Sequence, residues 1–360
     1  MKNKNYNIFL FLSTISRNLM EVLNIALLYK LNYSLKQIIL FYIIFYFTGI
    51  IVNLLVVYLS NYLKIKYILI ISSILLCLSY YYLNIMNNNL KSLIIFSILS
   101  AFSSFSYHII RHFYALNCKS NKDKEIGNYL IFTVLGVSLA TYINTYILEC
   151  YSMLINIIIV LILGILSIIP LSKISITTEK EKLTNVKLNI RQKLFFYLEQ
   201  SKVLFLLFEP LYLIIHIKDK LTYIGLFNAV LSMSSIISIY LVVRKINNYK
   251  YFKYINIIFV LILITKLNIT NSNILLLIAF MEGILTKLYE IVSTKNLYQI
   301  NNLTNIKSYL LKVEIIFLSS RVILLLIFYL TNINIKTLLY ILLPIILLSG
   351  FILKQEEKDN

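Results

Sequence analysis

Residues 152–171 read SMLINIIIVLILGILSIIPL, and residues 173–193 read KISITTEKEKLTNVKLNIRQK. The first stretch carries no charge and is long enough, at 1.5 Å per residue, to cross a hydrocarbon layer of about 30 Å as a helix that satisfies its own backbone hydrogen bonds. The second is the longest hydrophilic interruption in the chain, with six basic residues and two glutamates, and it lies almost at the midpoint of 360 residues. Working outward, eleven further apolar segments are found at 7–29, 37–58, 67–83, 92–113, 128–148, 195–217, 222–243, 254–268, 273–293, 309–331 and 335–353. The interruption therefore divides twelve segments six and six. A chain that is 59% apolar with a mean hydropathy of +0.82 cannot be arranged as the core and wet surface of a soluble domain. The expected fold class is an all-α polytopic membrane protein of about twelve transmembrane helices. Short alternating strands, which a membrane β-barrel needs, are absent from the sequence pattern.

Most of the 34 Lys and Arg fall in alternate gaps and in the two tails, the positive-inside signature of cytoplasmic N- and C-termini. The formal charge of +19 is then explained by topology and by attraction to anionic lipid, and not by nucleic acid, for which no basic and aromatic module exists. The first apolar run lacks a small-residue cleavage site and reads as a retained helix. Cys77, Cys118 and Cys150 fall in a helix, an inner loop and an outer loop, so neither a disulfide framework nor a thiolate metal site is expected. Tyr80, Tyr81 and Tyr82 are expected in the interfacial aromatic belt.

Residues 33–68 can be laid over residues 220–255 at an offset of 187, both ending a helix in a basic, Asn-containing loop that closes on Lys-Tyr-Ile. Six plus six helices around a long central loop resemble the major facilitator superfamily, whose halves are related by an axis along the membrane normal. The loop Leu59-Ser60-Asn61-Tyr62-Leu63-Lys64-Ile65-Lys66 stands where that family carries G-x-L-A-D-R-x-G-R-K; Leu59, Ser60 and Lys66 match, and Asn61 replaces the acid. Tyr107-His108-Ile109-Ile110 with Glu125-Ile126-Gly127, and Lys312-Val313-Glu314 with Ser320-Arg321-Val322, are similar to a bacterial branch of the superfamily. The resemblance implies an N-terminal half over 1–172, a cytoplasmic linker over 173–194, a C-terminal half over 195–360, and residence in a bacterial plasma membrane. The missing acid puts the family's usual gating latch in question.

A charge at mid-membrane costs roughly 2.5–3.5 kcal/mol, so charges there face a cavity or one another. The candidates are Arg17 and Glu21 in the first segment, Glu209 in the seventh, Glu282 and Glu290 in the tenth, and Glu314 and Arg321 in the eleventh. In the resembled fold all seven would face the central path, while segments three, six, nine and twelve support it from outside. Arg17 and Glu21, four residues and about 6 Å apart, can bind a zwitterion or simply neutralise one another. Glu209 precedes Pro210 and has no basic neighbour within a turn, which suits a carboxylate that takes up and releases a proton as well as one that pairs across the bundle. Glu290 has Lys287 as a local partner. Glu314 and Arg321, seven apart, each need a partner elsewhere. His108 and His112 have a spacing that two metal-bound imidazoles can adopt, but Arg111 between them argues against a cation, leaving His108 as a proton-responsive candidate.

No G-x-x-x-x-G-K-[ST] loop, no H-E-x-x-H and no intramembrane Asp occur, which argues against an ATPase or a membrane enzyme. No cofactor is expected. The expected function is a secondary active transporter that works by alternating access, with the lipid bilayer, a small-molecule substrate and protons as partners. Export of an amphipathic compound or peptide-like metabolite is the finer expectation. A non-transporting sensor or assembly partner is the alternative.

Overall fold

The structure is a computed structural model that describes residues 2–21, 24–117, 122–173, 184, 186, 188–217, 221–242, 252–298 and 306–352; Cys118, most of the central linker, the basic loop of the second repeat unit and the C-terminal tail lie outside these residues. Helices α1 Lys2–Glu21 and α2 Asn24–Lys30 fall on one span, Asn5–Lys30. They are followed by α3 Leu35–Leu59, α4 Ile65–Ile85, α5 Leu90–Asn117, α6 Lys122–Cys150 and α7 Met153–Ser172. Beyond the linker come α8 Ile190–Ile217, α9 Leu221–Val242, α10 Phe252–Asn268, α11 Ser272–Tyr298, α12 Ile306–Thr331 and α13 Ile335–Ile352. Every expected apolar segment is a helix. Several run a turn past the apolar limit on the basic side, as α6 and α8 do, because Lys, Arg and Gln favour helix and the headgroup region accepts their charges.

Local chemistry fixes the ends where it can be read. Asn32 takes a left-handed φ of 63°, a conformation that Asn tolerates, and reverses the chain after α2. Ser34 and Gln37 then form a reciprocal capping box that starts α3. Pro170, Pro210 and Pro344 lie inside helices that continue through them.

Helix packing repeats between the two sets of six. In the first, α3 packs on α5, α1 on α6 and α7, and α4 on α5 and α7. In the second, α9 packs on α11, α8 on α12 and α13, and α10 on α11 and α13, which is the same set of pairs. The largest contacts between the sets are α6 with α9 and α3 with α12, and a two-fold exchange of the sets converts each into the other. Polar side chains follow the same scheme: Ser97 of α5 donates to Phe41 O of α3 at 2.8 Å, and Ser238 of α9 donates to Ile284 O of α11 at 2.8 Å. Such bonds hold helices together where lipid offers no hydrophobic driving force.

The outer surface is apolar. On α7, Ile158, Ile162, Ile165 and Ile169 form a stripe at helical spacing, each more than half exposed. Nine spans among the described residues are long and apolar enough to cross a membrane. The remaining helices, α8, α10 and α11, are the ones whose interiors hold Glu209, Lys266 and Glu282.

Candidate functional site

Those three charges meet. The Lys266 ammonium lies 2.5 Å from Glu209 Oε1 and 2.6 Å from Glu282 Oε2, with all three residues buried. Phe205 and Phe227 stand against the lysine at 5.2 and 5.6 Å from their ring centres. A helix with one unpaired charge inserts poorly, and the trio removes that cost for three helices together. Lys266 was not among the residues expected from sequence. It lies in the ninth apolar segment, 254–268, but two residues from its end, where a lysine is ordinarily taken to reach for the interface.

Arg17 occupies the corresponding set of helices in the first half. Its Nη1 donates to Ser103 O and Oγ, at 3.3 and 3.2 Å, and its Nη2 donates to Ser72 Oγ at 2.5 Å. Its guanidinium also lies 4.1 Å from the centre of the Tyr107 ring. Ser72 and Ser103 exchange hydroxyl-to-carbonyl bonds, locking α4 to α5 beneath it. Arg17, Glu209 and Glu282 therefore turn toward α4 and α10, the helices expected outside the path. A buried charge in an apolar bundle is drawn to the nearest polar partner, whichever helix supplies it. The side chain of Glu21 lies outside the described residues.

The other charged candidates gather deeper toward the basic end. Glu290 bonds Lys287 at 2.8 Å, the local pair read from sequence. Glu314 lies 3.8 Å from His112 on α5. Ser293 donates to Glu199, whose other carboxylate oxygen has no hydrogen-bond partner. The Lys202 ammonium sits 4.0 Å from the centre of the Tyr289 ring. Glu199 and Lys202 lie in the first two turns of the segment 195–217, where charges ordinarily reach the headgroup region, so the sequence does not single them out. Among the described residues no group of three His, Cys, Asp or Glu is placed to hold a metal ion.

Arg321 and His108 line a cavity of about 200 Å³ at mid-depth, drawn mainly from α3, α4 and α5 and touched by Leu207 of α8. Phe41, Phe45, Tyr46 and Phe105 form an aromatic wall, in which Phe45 and Phe105 have ring centres 5.0 Å apart. Arg321 reaches it from α12, its Nε donating to Gln200 Oε1 at 2.8 Å and its guanidinium lying 5.0 Å from the Tyr46 ring centre. Tyr80, expected in the interfacial belt, is buried and lines the same space, while Tyr81 is exposed. A run of tyrosines on a helix must point in different directions, so one composition cannot place all of them.

Contacts between the two halves lie at both ends of the bundle. At the basic end, Lys307 of α12 donates to Asn61 in the loop after α3 at 2.7 Å. The acceptor of this contact is a neutral amide oxygen. At the other end, Glu149 of α6 accepts the backbone N–H of Thr222 in the first turn of α9 at 2.8 Å, an arrangement favoured by the helix dipole. Lys36 of α3 lies 4.9 Å from the ring centre of Tyr329 on α12.

No protein-family model matches the chain, and no curated protein matches it. Solved structures do. The chain is similar to the nucleoside transporter NupG, with 12% identity, 97% of each chain covered and a TM-score of 0.69. It is equally similar to a bacterial homologue of the iron transporter ferroportin in an outward-facing state, with 12% identity, 98% of each chain covered and a TM-score of 0.69. At these identities the likeness is one of fold, and the all-helical architecture of two sets of six expected from the sequence is the one the chain has.

Proposed function

We propose that the protein is a secondary transporter of a small molecule that works by alternating access, and that the Glu209–Lys266–Glu282 trio couples it to protons. The observation that carries the reading is the mid-depth cavity, set mainly in the first half and completed by Leu207 and Arg321 of the like-packed second half, with contacts joining those halves at both ends. A carrier needs a site that two rocking bodies share and contacts at each end that break in turn. Similar structures being transporters supports this without naming a cargo. The halves are assigned to residues 1–172 and 195–360 with a cytoplasmic linker between, and both termini are assigned to the cytoplasm from the Lys and Arg distribution. Of the expected substrate classes, a small amphipathic molecule suits a cavity with aromatic walls and a polar end.

The trio suits coupling because its two carboxylates share one ammonium, so a proton on either carboxylate leaves a neutral, fully paired group. Glu290, Glu314 and Arg321, with His108, are assigned to the path and its inner end, and Arg17 to holding α1 against α4 and α5. The test is proton flux in sealed proteoliposomes across a panel of amino acids, peptides and aromatic compounds, comparing wild type with Glu209→Gln. The substitution leaves Lys266 paired with Glu282 and mimics the protonated state. Substrate-dependent proton flux that is lost in the variant while substrate exchange persists supports the assignment; unchanged flux removes Glu209 from coupling.

A further inference from the structure

We infer that the mid-membrane cavity binds a planar aromatic molecule that donates a hydrogen bond from its ring and carries no positive charge. The inference deepens the transporter reading and rests on it. Two of the polar side chains lining the cavity are buried with atoms that have no partner: Asn24 Oδ1, in a residue 7% exposed, and Ser100 Oγ, in a residue 6% exposed. Leaving such an atom unmet is costly in a dry interior, so a ligand that meets it regains that cost on binding. Asn24 Oδ1 is an acceptor and calls for an N–H or O–H; Ser100 can donate or accept.

The walls set the shape. Phe41, Phe45, Tyr46 and Phe105 present rings from two helices to one narrow space, and flat aromatic surfaces are filled best by another flat ring. A volume of about 200 Å³ admits one fused ring system and a short substituent.

The charge follows from the lining. Among the described residues that line the cavity, Arg321 is the cation and neither Asp nor Glu is present. Glu199 and Glu314 lie within electrostatic reach of Arg321 on its inner side but do not line the space. An ammonium in the cavity would meet the guanidinium with no carboxylate beside it, whereas a neutral ring or an aromatic acid would not be repelled.

The chain contains no tryptophan, so indole emission reports the ligand alone when excited beyond the tyrosine band. Purified protein in nanodiscs is titrated with indole, indole-3-acetate, tryptamine and 1-methylindole, with empty nanodiscs subtracted. Saturable binding of indole and indole-3-acetate is expected, with 1-methylindole and tryptamine each weaker by roughly fivefold or more, the loss of one hydrogen bond or the gain of one repulsion. Asn24→Leu is expected to reduce indole affinity by a similar factor. Ser100→Ala should weaken binding while leaving thermal stability unchanged or raised, because it deletes a hydroxyl that the empty protein does not satisfy; a residue that only holds helices together would lower stability instead. Absence of saturable indole binding, or equal binding of tryptamine or 1-methylindole, overturns the inference. Flux of a non-aromatic solute without indole binding overturns the ligand class and leaves the transporter reading standing. Indole binding with no flux for any panel member overturns the transporter reading and leaves the ligand class.

Discussion

Lys266 is the side chain on which the buried electrostatics of the second half depends. With it in place, Glu209 and Glu282 are each bonded in a pocket walled by Phe205 and Phe227. Lys266→Met would leave two carboxylates facing one another without a cation, and breaking a buried pair in this way costs roughly 3–5 kcal/mol. A marked fall in thermal stability is expected, followed by size-exclusion chromatography after heating. The triple change Glu209→Leu, Lys266→Met and Glu282→Leu removes every buried charge at once and should recover most of that stability, yet abolish proton-coupled flux. A triple variant that is as unstable as the single one would show that packing, and not charge, fails at this site. Glu209 and Glu282 were legible in the sequence as isolated acids in apolar helices. Their partner was not, because a lysine two residues from a helix end looks the same in sequence whether it reaches for water or turns inward.

At the scale of helices, one glycine marks where two backbones touch. A Cβ on Gly283 of α11 would lie 2.0 Å from Leu231 O, a backbone atom of α9 that cannot move aside. A Cβ on Gly164 of α7 would meet nothing nearer than 3.8 Å. Gly283→Ala should therefore destabilise the protein by about 1–3 kcal/mol through overpacking, while Gly164→Ala should be close to neutral. Thermal stability of the two variants side by side tests this; equal effects would mean that α9 and α11 can separate without cost. The helices themselves were the most legible feature, since apolar runs of this length have few other outcomes. Their ends were less so, as with α6, which continues to Lys122 because helix propensity does not stop where hydrophobicity does. The equivalence of the two sets was readable through the repeat of residues 33–68 in 220–255, which makes α9 the counterpart of α3, as their packing on α11 and α5 does.

For the whole molecule, alternating access requires the two halves to move about the cavity and open its ends in turn. Asn61 and Lys307 join the halves at one end with a neutral acceptor. Asn61→Asp would make that bond charge-assisted and roughly twice as strong, shifting the population toward the state closed at that end and slowing transport in both directions. The two-half architecture was visible in the sequence as a hydrophilic break at the midpoint. The cavity was not, because Asn24, Ser100 and the aromatic residues that form it are individually ordinary in a chain so rich in Asn, Ser, Tyr and Phe. The most direct measurement is a pair of spin-label distances by double electron–electron resonance. One pair joins Tyr62 to Arg191 at the basic end, and the other joins Asn88 to Asn332 at the opposite end, all exposed positions, in protein cleared of native cysteines. Alternating access requires reciprocal distributions, in which acidification or Asn61→Asp lengthens one distance as it shortens the other. Single distributions that stay fixed at both ends under every condition would contradict it.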